Sequence, residues 1–251
     1  VKTTGRSIFP VFQYRFGPAM RQLRALIDAG LAGKAYVASS EVHWNRGKGY
    51  YDIPWRGTWK GECGGAILGH AIHAHDLICY VLGPVDEVFT MADTRVNTIE
   101  TEDCAALSFR MKNGALATSS VTLGAAEDTS RLRFCFEGFT AESGSLPYRP
   151  AEDKWRFIAR APTTQAQIDA VLATVGDGEN GFTGFVEAIA DAMEGRGGKE
   201  VTVTDGLQSI ELVTAIYRSA REGKPVRLAE AAEGQWIKGW APQPAPAAAS
   251  A

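Results

Sequence analysis

The chain has 251 residues, 45% hydrophobic and 22% charged, which is enough apolar material to close the core of one large or two small globular domains. A formal net charge of -3 leaves no basic stripe, which argues against a nucleic-acid backbone or an anionic membrane surface as partner. No stretch reaches the roughly 18 consecutive apolar residues of a membrane span, and the start, VKTTGRSIFPVF, lacks the apolar run and small-residue cleavage site of a secretory leader. Cys63, Cys79, Cys104 and Cys135 lie far apart with no CxxC pair, the usage of reduced thiols in a cytoplasmic protein.

In chain order, Ile8 to Phe16 reads as a short apolar strand. Gly17-Pro18 then breaks it and starts a helix whose Met20, Leu23, Leu26 and Ile27 share a face, with Gly30 and Gly33 as stops. Ala35 to Trp44 returns to strand character. Asn45 to Glu62 (NRGKGYYDIPWRGTWKGE) loses all periodicity and becomes a long loop of glycine, aromatic and cationic residues, a composition suited to a ligand. Gly65 to Leu82 is apolar on most sides and reads as a deeply packed helix stopped by Gly83-Pro84. Val85 to Val96, Asp103 to Arg110, Ala115 to Thr122 and Arg131 to Glu137 read as strands of an antiparallel meander with a hairpin at Asn113-Gly114. Phe139 to Ala141 and Trp155 to Ala159 add edge strands, and Gln165 to Gly178 fits a weak helix or a loop. Two late helices follow: Phe182 to Met193, then one capped by Thr204 or Asp205 and closed by Gly223. The tail from Pro242, PQPAPAAASA, is low in complexity and is expected to be disordered. This order describes an α+β fold, an open, mainly antiparallel sheet with helices on one face. The other face is left as a dimer surface.

Three of the four histidines, His70, His73 and His75, fall in GGAILGHAIHAHD, with Asp76 beside them. At about 100° per residue an α-helix brings His70, His73 and Asp76 to one side and turns His75 away. A neutral imidazole there can take a proton from an alcohol or return one to a carbonyl oxygen. The competing readings are helix-packing histidines, or a zinc site in which His43 or Asp76 joins His70 and His73, although no HExxH or cysteine pair supports a metal. In the preceding loop Trp55, Arg56 and Lys60 can stack on a sugar and bind its hydroxyl or acid groups, or they can plug the core and pair with surface carboxylates. No GxGxxG follows a strand, and neither a GxSxG elbow nor a P-loop is present.

The segments VFQYRFGPAMRQLRALIDAGLAGKA, WRGTW, CGGAILGHAIHAHDLICYVLGPV and IETEDCAALSFRMKNGALATSS, in that order, resemble the Gfo/Idh/MocA oxidoreductases from about residue 9 to 228. The resemblance implies an α+β substrate domain over residues 18-241, preceded at 1-17 by the last strand of a Rossmann-type domain and followed by the tail at 242-251. It also implies hydride transfer between NAD or NADP and a sugar, cyclitol or related polyol. His73 matches the family histidine and is the expected acid/base, with His70 beside it; Arg15, Trp55, Arg56, Lys60 and Asp76 are the expected substrate contacts. Gly69 stands where the family has an aspartate, and the family lysine would lie before Val1. The expected partners are a small sugar or polyol, a second copy through the open sheet face, and a separate Rossmann-domain polypeptide, without which the chain is expected to be inactive. Two other classes stay open: a non-catalytic sugar-binding or dimerisation module, and a metal-dependent hydrolase or isomerase built on His70 and His73.

Overall fold

Side chains that alternate between core and solvent set the strands of this protein, whose computed structural model describes residues 3-242. The expectation for the tail falls on residues 243-251, outside that range. Strand β1 (Ala35–Asn45) buries Ala38, Val42 and Trp44 on one face and turns Val37, Glu41 and His43 to the other. With β2 (Val85–Asp93), β3 (Cys104–Met111), β4 (Leu116–Thr122), β5 (Gly124–Phe136), β6 (Phe139–Glu142), β7 (Arg156–Ala159) and β8 (Val226–Arg227) it forms one sheet in the order β7-β6-β5-β1-β4-β3-β2-β8. The pairs are antiparallel except β1 with β4, which run parallel because the chain leaves β1, crosses the sheet as a helix and returns through the β2-β3-β4 meander.

The helices are α1 (Pro18–Asp28), α2 (Lys48–Tyr51), α3 (Trp59–Glu62), α4 (Ile72–Leu82), α5 (Gln165–Leu172), α6 (Gly181–Met193) and α7 (Val203–Glu222). α4 packs on β1 and α7 on β2, so the core forms on one face of the sheet. Val37, Met91, Leu116 and Ile158 remain 38% to 62% exposed on the strands, and Val37 and Leu116 are register partners. Trp59–Leu82 is long and apolar enough by composition to cross a membrane, with a mean hydropathy of 1.2, but 61% of that window is buried inside the fold.

Three expectations are corrected. Ile8 to Phe16 is not a strand: Pro10 has no N–H for a ladder, and Gln13–Arg15 turns as a 3-10 helix that carries Arg15 to Asp76 and Asp205. The cap of α7 is Thr202, not Thr204 or Asp205. Thr202 Oγ1 accepts from the Asp205 N–H and the Asp205 carboxylate accepts from the Thr202 N–H, a reciprocal box that fixes the start two residues earlier. The strand expected to reach Val96 ends at Asp93, because the Asp103 carboxylate gathers the N–H groups of Arg95, Val96 and Asn97 into a turn.

The buried helix begins as a π-helical turn, Ile67–Ala71, before α4. Glu102 sets its entry. Its carboxylate accepts from the N–H groups of Gly65 (3.2 Å) and Ile67 (2.9 Å) and from the Tyr217 hydroxyl (2.9 Å). A Cβ on Gly65 would lie 1.9 Å from the Glu102 carbonyl oxygen, so glycine is required there by contact alone. Glu102→Ala strands two buried amides and a buried phenol and should cost about 2–4 kcal/mol, read as a lower urea midpoint, with Glu102→Gln costing less.

Burial also holds all three helix histidines neutral, pushing each imidazole down to about 4; Arg46 and Arg56 add to the effect at His70. His75 sits under the sheet, its Nε2 bonded to Ser119 Oγ at 2.9 Å. Because the unfolded chain titrates these groups near 6.5, it binds more protons than the folded chain between about pH 6.5 and 4. Their contribution is therefore complete above that window and is lost as pH falls through it, by about 1–2 kcal/mol per histidine at pH 5. Urea melts across this range should show the slope, and His75→Gln should remove roughly a third of it.

Candidate active site: a cavity beside His73

A cavity of about 610 Å³ opens where the Gln13–Arg15 turn, the end of β1, the π-helical turn and the start of α6 meet. Its wall includes Gln13, Tyr14, Trp44, Gly69, His73 and Tyr148. His73 is held by aromatic packing: its ring centre lies 4.8 Å from that of Tyr14 and 6.0 Å, edge-on, from Phe12. Its Nδ1 is buried with no hydrogen-bond partner, and burial keeps the ring neutral at pH 7. The cavity therefore presents a proton acceptor that a bound hydroxyl can reach without displacing a protein partner.

The other expected site residues divide into three places. Arg15 and Asp76 bind each other rather than the cavity. Arg15 Nε and Nη2 donate to the two Asp76 oxygens at 2.8 and 2.6 Å, and Nη1 donates to Asp205 at 3.0 Å. Burial works to lower the pKa of Arg15, but bonds and charge from Asp76 and Asp205 outweigh it and raise the pKa above its ordinary value. His70 is buried off the cavity wall, edge-on to Trp44 at 5.2 Å and 6.0 Å from Tyr50. The i→i+5 turn that carries His70 advances each residue by less than the 100° of an α-helix, so His70, His73 and Asp76 do not share the expected face.

Trp55, Arg56 and Lys60 lie on the loop outside the cavity wall. Lys60 is exposed and Trp55 is 51% exposed. The Arg56 guanidinium lies 3.7 Å from the Tyr50 ring centre and 5.1 Å from that of Trp55, and its Nε is buried without a partner. Among the described residues no carboxylate lies within ion-pairing distance of it. Arg46, which the sequence reading passed over, is instead paired to Asp128 at 3.0 Å and donates to the Tyr148 hydroxyl at 2.7 Å.

Gln13, Trp44 and Tyr148 were also missed, since nothing in their local pattern separates a cavity wall from core or loop. Tyr148 does carry a structural mark, a positive φ of 62°. Among the described residues no three His, Cys, Asp or Glu side chains are grouped to hold a metal ion; His43 bonds to Ser120 and Asp76 to Arg15. Nor do the described residues contain a strand, glycine-rich turn and helix that would cradle a pyrophosphate, so this cavity fits the substrate side of a dinucleotide-dependent site and not the cofactor side.

Residues 20–142 match the model of the GFO/IDH/MocA C-terminal domain. No curated relative matches the chain. Among solved structures, the WlbA dehydrogenase of Bordetella pertussis in complex with NADH and UDP-GlcNAcA is 28% identical, with a TM-score of 0.75 over 90% of this chain and 65% of its own. Its counterpart from Chromobacterium violaceum, in complex with the same two ligands, is 26% identical, with a TM-score of 0.75 over 90% of this chain and 64% of its own. Levoglucosan dehydrogenase in complex with NADH shares the fold at 18% identity, with a TM-score of 0.67 over 86% of this chain and 64% of its own. The chain thus spans about two thirds of the length of these relatives, and NADH, bound in all three, is of the cofactor class the family implies. By the domain match and the shared sheet, the chain carries the C-terminal substrate domain of the GFO/IDH/MocA family.

Proposed function

We propose that this chain is the substrate side of an NAD(P)-dependent oxidoreductase acting at a hydroxyl-bearing carbon of a sugar, cyclitol or related polyol. The observation that carries the reading is His73, a neutral imidazole free of protein hydrogen bonds on the wall of the cavity. Oxidising an alcohol removes a hydride from carbon and a proton from oxygen. The nicotinamide cofactor supplies the hydride acceptor when bound, and His73 takes the proton. Tyr14 and Phe12 hold the His73 ring in place, and the buried wall keeps water from competing for it.

The unpaired Arg56 beside exposed Trp55 supports a substrate that also bears an anionic group, a carboxylate or a phosphate. His70 acts as a packing neighbour behind Trp44, while Arg15 and Asp76 position His73 rather than touch substrate. The exposed apolar stripe at Val37 and Leu116 supports pairing of two copies through the open sheet face, with the nucleotide-binding part supplied by further polypeptide and the complex in the cytoplasm.

Calorimetric titration with UDP-GlcNAcA, D-glucuronate and D-glucose tests the reading. Saturable binding of at least one sugar is expected, about tenfold weaker in His73→Ala. Arg56→Gln should cost the two anionic ligands about tenfold and leave D-glucose unchanged. Binding untouched by His73→Ala would favour a non-catalytic sugar-binding module, and no binding of any of the three would remove the sugar reading.

A further inference from the structure

The proposal of a sugar site leaves one polar group on the cavity wall without a task. Gln13 lines the cavity, its carboxamide oxygen Oε1 is buried, and that oxygen has no hydrogen-bond partner. An acceptor sealed from water and left unmet costs roughly 1–3 kcal/mol, so a fold that keeps one at a cavity wall gains when a ligand donor arrives there.

The segment that presents this amide is fixed on both sides. Phe12 and Tyr14 pack on the His73 ring. Arg15 is forked onto Asp76 and tied to Asp205. The Phe16 N–H returns to the Gln13 carbonyl at 3.1 Å, and the Phe16 carbonyl accepts from the Gly181 N–H at 2.8 Å. Across the π-helical turn, no atom lies within 4 Å of where a Cβ on Gly69 would stand, so the wall by His73 leaves room for a ring. A rigid amide and a neutral imidazole on the same cavity therefore present two acceptors at fixed positions.

We propose that Gln13 determines substrate specificity: its Oε1 accepts from a second hydroxyl of the sugar, a neighbour of the one whose proton passes to His73, so that the site selects a diol over a deoxy sugar. This inference rests on the reading of the cavity as a sugar site. Gln13 touches substrate but exchanges no proton with it, and its amide does not titrate, so the selection should hold across the working pH range.

The test is a chemical cycle in the intact chain, titrating D-glucose, 2-deoxy-D-glucose and 3-deoxy-D-glucose into wild type and Gln13→Leu. Wild type should bind one deoxy sugar at least tenfold more weakly than glucose, because a site built to bond a hydroxyl discriminates against the analogue lacking it. Gln13→Leu should lose that factor on glucose and no longer distinguish the pair, a coupling that a merely structural role would not produce. Gln13→Asn, which withdraws the amide by one methylene, should give the same loss of discrimination if the leucine variant does not fold. Equal weakening of all three sugars, or glucose binding as tight as wild type, overturns the proposal. So does an effect confined to NADH binding, which would assign the amide to the cofactor. Wild-type chain that binds no sugar at all fails the underlying sugar reading as well, and the two failures are thereby told apart.

Discussion

The arrangement around the cavity depends on one buried ion pair, the fork of Arg15 onto Asp76 with Asp205 as third member. It joins three pieces of chain far apart in sequence: the turn before α1, the middle of α4 and the first turn of α7. Two charges with side chains 9% and 3% exposed are expensive to desolvate, and such a pair is tolerable only when its geometry is good and its donors are used. Here three guanidinium N–H groups meet three carboxylate oxygens, two of them in the bidentate geometry that arginine alone offers. The net contribution to stability is small by this reasoning. What the fork fixes is register: with Arg15 in place, Gln13, Tyr14 and Phe12 have one position relative to His73.

α4 carries structure and site on different sides. Leu77, Ile78 and Leu82 fill the core, and His75 binds Ser119 of the sheet. His73 is left for the cavity and Asp76 for the fork. The π-helical turn before α4 allows this division: an extra residue in the turn moves His70 under Trp44 and leaves Gly69 facing the cavity. Glu102 holds that turn by taking up amide donors that its irregular start leaves over.

Much of the architecture was legible because it follows from periods that sequence displays directly. The β3-β4 hairpin followed from Asn113-Gly114, whose glycine has φ 89°, and the end of α4 from Gly83, with φ 83°. α5 could have been assigned outright, since Thr164 and Gln167 form a capping box with a spacing visible in the sequence. The strand assigned to Ile8–Phe16 failed because an apolar run does not say whether its polar members have partners elsewhere, and Arg15 has two, 61 and 190 residues away. The same limit applies to the site. His73 was found from its cluster, whereas Gln13, Trp44 and Arg46 become site residues only through contacts that no local pattern records.

The polar groups nearest the proposed chemistry are uncharged, and the charges around them are matched with a single exception. His70 and His73 are kept neutral by burial, Arg15 is bound by two aspartates, and Arg46 is held by Asp128. Only Arg56, stacked on Tyr50 beyond the wall, keeps an uncompensated charge among these groups. Such a gradient sorts a ligand by its parts: hydroxyls are favoured against neutral acceptors inside, where an ion would pay its desolvation, and an oxyanion is favoured at the rim, where water still screens it. A sugar bearing an acidic group has its charge and its hydroxyls in separate places and can satisfy both, whereas a compact anion or an apolar molecule satisfies at most one.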